Sequence, residues 1–113
     1  MKIYHNPRCS KSRQTLKLIQ ERGLEPEVIR YLDTPPTKEE LRSLLKKLGL
    51  KAEELVRKGE ALYKERYKGK ELSEEDWLDV LSQNPRLIER PIVVKGSKAV
   101  LGRPPEKVLE LLD

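Results

Sequence analysis

The chain's 113 residues are enough for one hydrophobic core and too few for two independent ones, so the expectation is a single domain over 1–113. A composition 36% hydrophobic and 38% charged, with both signs interspersed, excludes a disordered tail, and no run approaches the ~20 apolar residues of a membrane span. A single cysteine excludes an intrachain disulfide and leaves a cysteine-based zinc site without partners; a free thiol with no apolar leader near the start leads us to expect a cytoplasmic protein. The net charge of +5 suits an anionic small molecule, nucleic acid or solubility alike, but its distribution is uneven. From Met1 to Arg22 the bases Lys2, Arg8, Lys11, Arg13, Lys17 and Arg22 face the single acid Glu21, so the surroundings of Cys9 are electropositive.

Lys2-Ile3-Tyr4 predicts a short strand running into His5-Asn6-Pro7-Arg8-Cys9, where Asn-Pro marks a turn. A helix follows, with Leu16, Leu18 and Ile19 as its apolar face, Ser10 or Ser12 as a hydroxyl near its start and Gly23 as its stop. Val28 to Leu32, rich in β-branched and aromatic residues, predicts the second strand, ended by Asp33-Thr34-Pro35-Pro36. Thr37-Lys38-Glu39-Glu40 has the form of a capping box, ahead of Leu41, Leu44, Leu45 and Leu48 at helical spacing and a terminating Gly49. A shorter helix is expected around Ala52 to Lys58, then a charged, solvated loop in which Lys64, Arg66, Lys68 and Lys70 interleave with Tyr63 and Tyr67. Ser73-Glu74-Glu75-Asp76 opens another helix, whose Trp77, Leu78 and Leu81 read as core.

After Asn84-Pro85 the period changes. Pro91-Ile92-Val93-Val94 and Ala99-Val100-Leu101 flank the Gly-containing turn Lys95-Gly96-Ser97-Lys98 and predict a β-hairpin. Pro104-Pro105 then starts a last helix with Val108, Leu109, Leu111 and Leu112 as its apolar residues. Strand, helix, strand, helical segment, hairpin and helix is the order of a thioredoxin-like α/β fold with a helical insertion, about 37–84, between the second and third strands.

This order places Cys9 at a helix N-terminus, where the positive end of the helix dipole and unpaired N–H groups favour thiolate. Arg8, Lys11, Arg13 and His5 add positive charge, and the same amides and cations suit an oxyanion. Cys9-Ser10-Lys11-Ser12 has the Cys-x-x-Ser form, with serine where a Cys-x-x-Cys enzyme carries its resolving thiol, so turnover requires an outside thiol. Ser12 is either a donor to the thiolate or a helix-cap hydroxyl. His5, the only histidine, either stabilises charge or organises the loop. No phosphate loop, metal-ligand cluster or carboxylate pair stands out, so neither a metal nor a tightly bound cofactor is expected.

The segments from Tyr4 to Arg13, Tyr31-Leu32-Asp33-Thr34-Pro35-Pro36, Glu89-Arg90-Pro91-Ile92-Val93-Val94 and Gly102-Arg103-Pro104-Pro105-Glu106 together resemble the glutaredoxin-dependent arsenate reductases. The motifs keep their order over nearly the whole chain, and the likeness is to the family's short, arsenate-reductase-like branch. The resemblance implies that Cys9 attacks arsenate or a similar oxyanion, with glutathione as co-substrate, glutaredoxin as partner and arsenite as product. It also implies three arginines around the oxyanion, Arg57 in Leu55-Val56-Arg57-Lys58, Arg90 before Pro91 and Arg103 before Pro104. Pro91 is similar to the cis-proline that faces the cysteine in thioredoxin folds. Neither nucleic acid nor membrane is an expected partner, and the expected state is a monomer. The same fold family includes regulators that bind RNA polymerase, which makes a non-catalytic interaction module the alternative, but the Cys-x-x-Cys switch typical of those regulators is absent here.

Overall fold

Two short runs distant in sequence, Lys2–Tyr4 (β1) and Ile92–Lys95 (β3), pair antiparallel in the middle of a four-stranded sheet, with Ile3 opposite Val93. Glu27–Ile29 (β2) joins β1 in parallel and Lys98–Leu101 (β4) joins β3 antiparallel, giving the order β2-β1-β3-β4. A parallel pair needs a crossover, which helix α1 (Ser10–Glu21) supplies, whereas β3 and β4 reverse within Gly96-Ser97. Gly96 takes φ +62°, a value demanded at the first position of such a tight turn and open to glycine.

Side chains alternate across the sheet, so Ile3 and Val93 share a face. There they form a core with Ile19 of α1 and with Val108 and Leu111 of the C-terminal segment, a 3₁₀ turn (Pro105–Val108) continuing into a last short helix (Leu109–Leu112). The computed structural model describes residues 1–112. Met1–Thr34 and the segment from Arg90 onward make one compact unit, the sheet unit, and Pro35–Glu89 makes a second, the helical unit.

The buried stripe of α1 is Ser12, Thr15 and Ile19, with Leu16 and Leu18 only partly covered. The helix therefore turns two hydroxyls inward where an apolar face was expected. Strand β2 ends at Ile29 rather than Leu32, because the amides of Asp33 and Thr34 both donate to the Arg30 carbonyl and curl the chain into a turn.

In the helical unit, α2 (Lys38–Leu48) starts at the expected capping box, with the Glu40 amide donating to Thr37 Oγ1 at 3.1 Å, and stops at left-handed Gly49. The helix expected to reach Lys58 is instead a 3₁₀ turn, Ala52–Leu55. Val56 leaves it to pair with Ile88, and the Arg57 amide donates to the Leu87 carbonyl at 2.6 Å, which competes with any further helical turn. The expected solvated loop contains α3 (Ala61–Arg66), held by buried Leu62. Tyr63 stacks on Trp77 at 6.4 Å between centroids, Tyr67 tilts against it at 6.0 Å, and Lys70 lies over the Tyr67 ring. Helix α4 (Glu74–Gln83), capped by Ser73, packs on α2 and is tied to it by ion pairs of Lys38 with Glu75 and Asp79, and of Arg42 with Glu75. Among the described residues no helix is long and apolar enough to cross a membrane.

Candidate active site around Cys9

Cys9 is the N-cap of α1, with φ −93° and ψ 122°, and its carbonyl accepts the first helical hydrogen bond from the Arg13 amide at 3.0 Å. The loop before it closes on itself: the Cys9 amide donates to the Asn6 carbonyl at 3.0 Å, the Arg8 amide to Asn6 Oδ1 at 3.0 Å, and Arg13 Nη1 to the Pro7 carbonyl at 2.9 Å. Partial burial of the sulfur is the largest single influence on its ionisation and opposes it. The Ser12 amide, the charge of Arg90, the Lys11 amide and the Arg90 guanidinium acting as a hydrogen-bond donor together outweigh burial, and the thiol falls below its ordinary value. The two amides act through charge and orientation, since the Cys9 side chain closes no formal cap hydrogen bond.

Ser12 is fully buried, and its hydroxyl is committed elsewhere: Oγ lies 2.6 Å from His5 Nδ1 and accepts from the Asn6 amide at 3.0 Å. Of the two roles open to Ser12, its hydroxyl fills neither. It ties the Cys9 loop to α1, while its amide is the group that favours the thiolate. His5 is 6% exposed, and its pKa is lowered by burial first and then by the charges of Arg30 and Arg13. The lowered pKa disfavours an imidazolium beside Cys9, and the hydrogen bond with Ser12 ties His5 into the organisation of the Cys9 loop.

Arg90 is 5% exposed, an unusual depth for a guanidinium, and stands immediately before Pro91 in a cis peptide bond. Arg103 is exposed and also precedes a cis-proline, Pro104. Its Nη1 donates to the Arg90 carbonyl at 3.5 Å. The chain between them is pressed against α1. The Gly102 amide donates to the Pro91 carbonyl at 2.9 Å, and buried Thr15 Oγ1 donates to the carbonyls of Lys11 at 2.8 Å and Gly102 at 3.3 Å. A Cβ on Gly102 would lie 2.5 Å from Thr15 Oγ1 and 2.8 Å from Pro91 Cγ, so only glycine fits.

The sheet unit thus assembles Cys9, His5, Ser12, Arg90, Pro91 and Arg103. Arg57 belongs to the helical unit, half-buried and with Nη1 3.3 Å from Glu60 Oε2. Thr15 was not singled out in the sequence, and Gly102 entered only as part of a motif. The signal for Thr15 was a hydroxyl at a core position three residues after Ser12, since a buried polar group demands a partner. Among the described residues no group of His, Cys, Asp and Glu gathers as a metal site requires.

The profile of the ArsC family matches residues 4–111. The chain is 56% identical to a protein of Escherichia coli K12 named uncharacterized protein YfgD, over 99% of this chain and 96% of that one. It is 46% identical to a protein of Neisseria meningitidis serogroup A named arsenate reductase, over 99% of this chain and 97% of that one. A solved structure named arsenate reductase from Vibrio cholerae superposes with a TM-score of 0.93 at 49% identity, over 97% of each chain. A likeness of that extent identifies the arrangement of strands and helices as the thioredoxin-like α/β fold expected from the element order.

Proposed function

The chain belongs to the ArsC family, and from that membership and the surroundings of Cys9 we propose that it reduces arsenate to arsenite through a Cys9 adduct resolved by glutathione and glutaredoxin. The observation that carries this reading is the placement of Cys9 at a helix N-terminus beside the buried guanidinium of Arg90, an arrangement that lowers the thiol's pKa.

The Cys9 thiolate attacks arsenic and displaces one arsenate hydroxyl, which takes a proton and leaves as water. Arg90 and Arg103 hold the remaining oxygens with paired hydrogen bonds that strengthen as charge develops. A glutathione thiol displaces a second hydroxyl, its own proton completing the departing water. A glutaredoxin thiolate then attacks that glutathione sulfur, and the electron pair of the sulfur–arsenic bond passes to arsenic. Arsenic goes from As(V) to As(III) while two thiols become one mixed disulfide. Water cleaves the last sulfur–arsenic bond, releases arsenite and returns Cys9. The outside thiols are a necessity of composition, because the chain has one cysteine and no internal disulfide can form.

The test is arsenate-dependent NADPH oxidation, with one coupling system of glutathione, glutathione reductase and glutaredoxin and another of thioredoxin and thioredoxin reductase. The proposal expects turnover with the first system, little with the second, and none from Cys9→Ser in either. Turnover with thioredoxin alone would overturn the assignment of the thiol donor.

A further inference from the structure

A groove of about 310 Å³ opens beside the Cys9 loop, lined by His5, Asn6, Pro7 and Arg8 on one side and Arg30, Leu32 and Asp33 on the other. All seven residues lie in the sheet unit. The volume is at the lower end of small-molecule sites, suited to a few residues of peptide and too small for a folded partner. Arg8, Arg30 and Asp33 are exposed, and among the described residues none of their charged groups closes an ion pair. Burial and Arg30 disfavour a charge on His5, so the fixed charges of the groove are two guanidinium groups and one carboxylate, a single net positive charge. Leu32, one of the few large apolar side chains left exposed, adds an apolar wall.

We propose that this groove binds glutathione, with Arg8 and Arg30 each taking one of its two carboxylates and Asp33 its ammonium group. The inference rests on the reading of Cys9 as a thiol resolved by glutathione. The charges match in number and sign: the peptide carries two carboxylates, one ammonium and one net negative charge, the mirror of the groove. Guanidinium groups suit the task because they hold planar carboxylates through paired hydrogen bonds. The location suits it as well, because Arg8, a wall of the groove, is the residue bonded to Cys9, about 3.8 Å away from Cα to Cα. A peptide anchored there by its ends is held next to the thiol that it must resolve, which replaces a three-body encounter with a local one.

The experiment is calorimetric titration with S-methylglutathione, which keeps every charge and cannot react. Arg8→Met and Arg30→Met are each expected to weaken binding at least tenfold, and Asp33→Asn several-fold, with melting temperatures unchanged because all three residues are exposed. Glutathione ethyl ester, which lacks the glycyl carboxylate, is expected to bind more weakly and to lose its sensitivity to one of the two arginines. Absence of binding at millimolar peptide, equal affinity in wild type and both arginine variants, or displacement by inorganic phosphate at equal concentration would overturn the groove. The two readings fail separately. Arsenate reduction with an unmoved KM for glutathione in Arg30→Met overturns the groove alone, whereas arginine-dependent peptide binding without any arsenate reduction upholds the groove and overturns the reductase.

Discussion

Burial pushes the Cys9 thiol pKa up, and two amides and the Arg90 guanidinium outweigh it and bring the pKa below the ordinary value. Thiolate absorbance at 240 nm followed against pH is therefore expected to rise with a midpoint below that of a free cysteine, and Arg90→Met to move the midpoint upward. An unchanged midpoint in Arg90→Met would remove Arg90 from the account of reactivity. His5 has the opposite consequence for stability. Its folded pKa is depressed, so the unfolded chain takes up the proton first; its contribution is complete above about pH 6.5 and is lost as pH falls through the lower folded value. Melting temperature measured from pH 7.5 to 5 is expected to fall in wild type and to fall less in His5→Gln. At this scale the place of Cys9 at a helix N-terminus among bases was legible, because position and charge are written in order along the chain. Ser12's choice between amide and hydroxyl was not readable, because it depends on His5 seven residues away turning inward.

Among the elements, the contact of Gly102 with Thr15 and Pro91 is the tightest constraint near the site. Gly102→Ala is expected to destabilise the fold by about 1–3 kcal/mol, as overpacking does, and to slow any reaction that depends on Arg103 next to it. Gly59 is the control, with open space around a new Cβ and no positive φ; Gly59→Ala is expected to be neutral or to stabilise by about 0.4–1 kcal/mol. Loss of the α2 cap in Thr37→Ala is expected to remove about 1 kcal/mol, measured by urea denaturation. The capping box at Thr37, the serine cap at Ser73, the leucine stripe of α2 and the Gly96 hairpin were legible because each is a local pattern. α3 was not, since its short helix owes its place to Leu62 burial and to Tyr63 and Tyr67 packing on Trp77, ten or more residues on.

For the whole molecule, the order of strands and helices was legible because the switch from helical to alternating periodicity near Pro91 marks the return to the sheet. The candidate site was legible in part. Cys9 announces itself by being the only cysteine, whereas Arg90, Arg103 and Arg57 are three among many bases, and only the resemblance of their flanking motifs singled them out. Among these three, Arg90 carries an independent physical mark, its depth of burial beside the thiol. Each arginine that holds a developing oxyanion charge is expected to matter by about 10²–10³-fold in kcat when replaced by methionine. The most direct measurement is the arsenite released from arsenate in the presence of glutathione and glutaredoxin, separated and quantified by arsenic speciation for wild type and Cys9→Ser. The account predicts many arsenite molecules per wild-type chain and none above background from Cys9→Ser; equal release from the two proteins would contradict it.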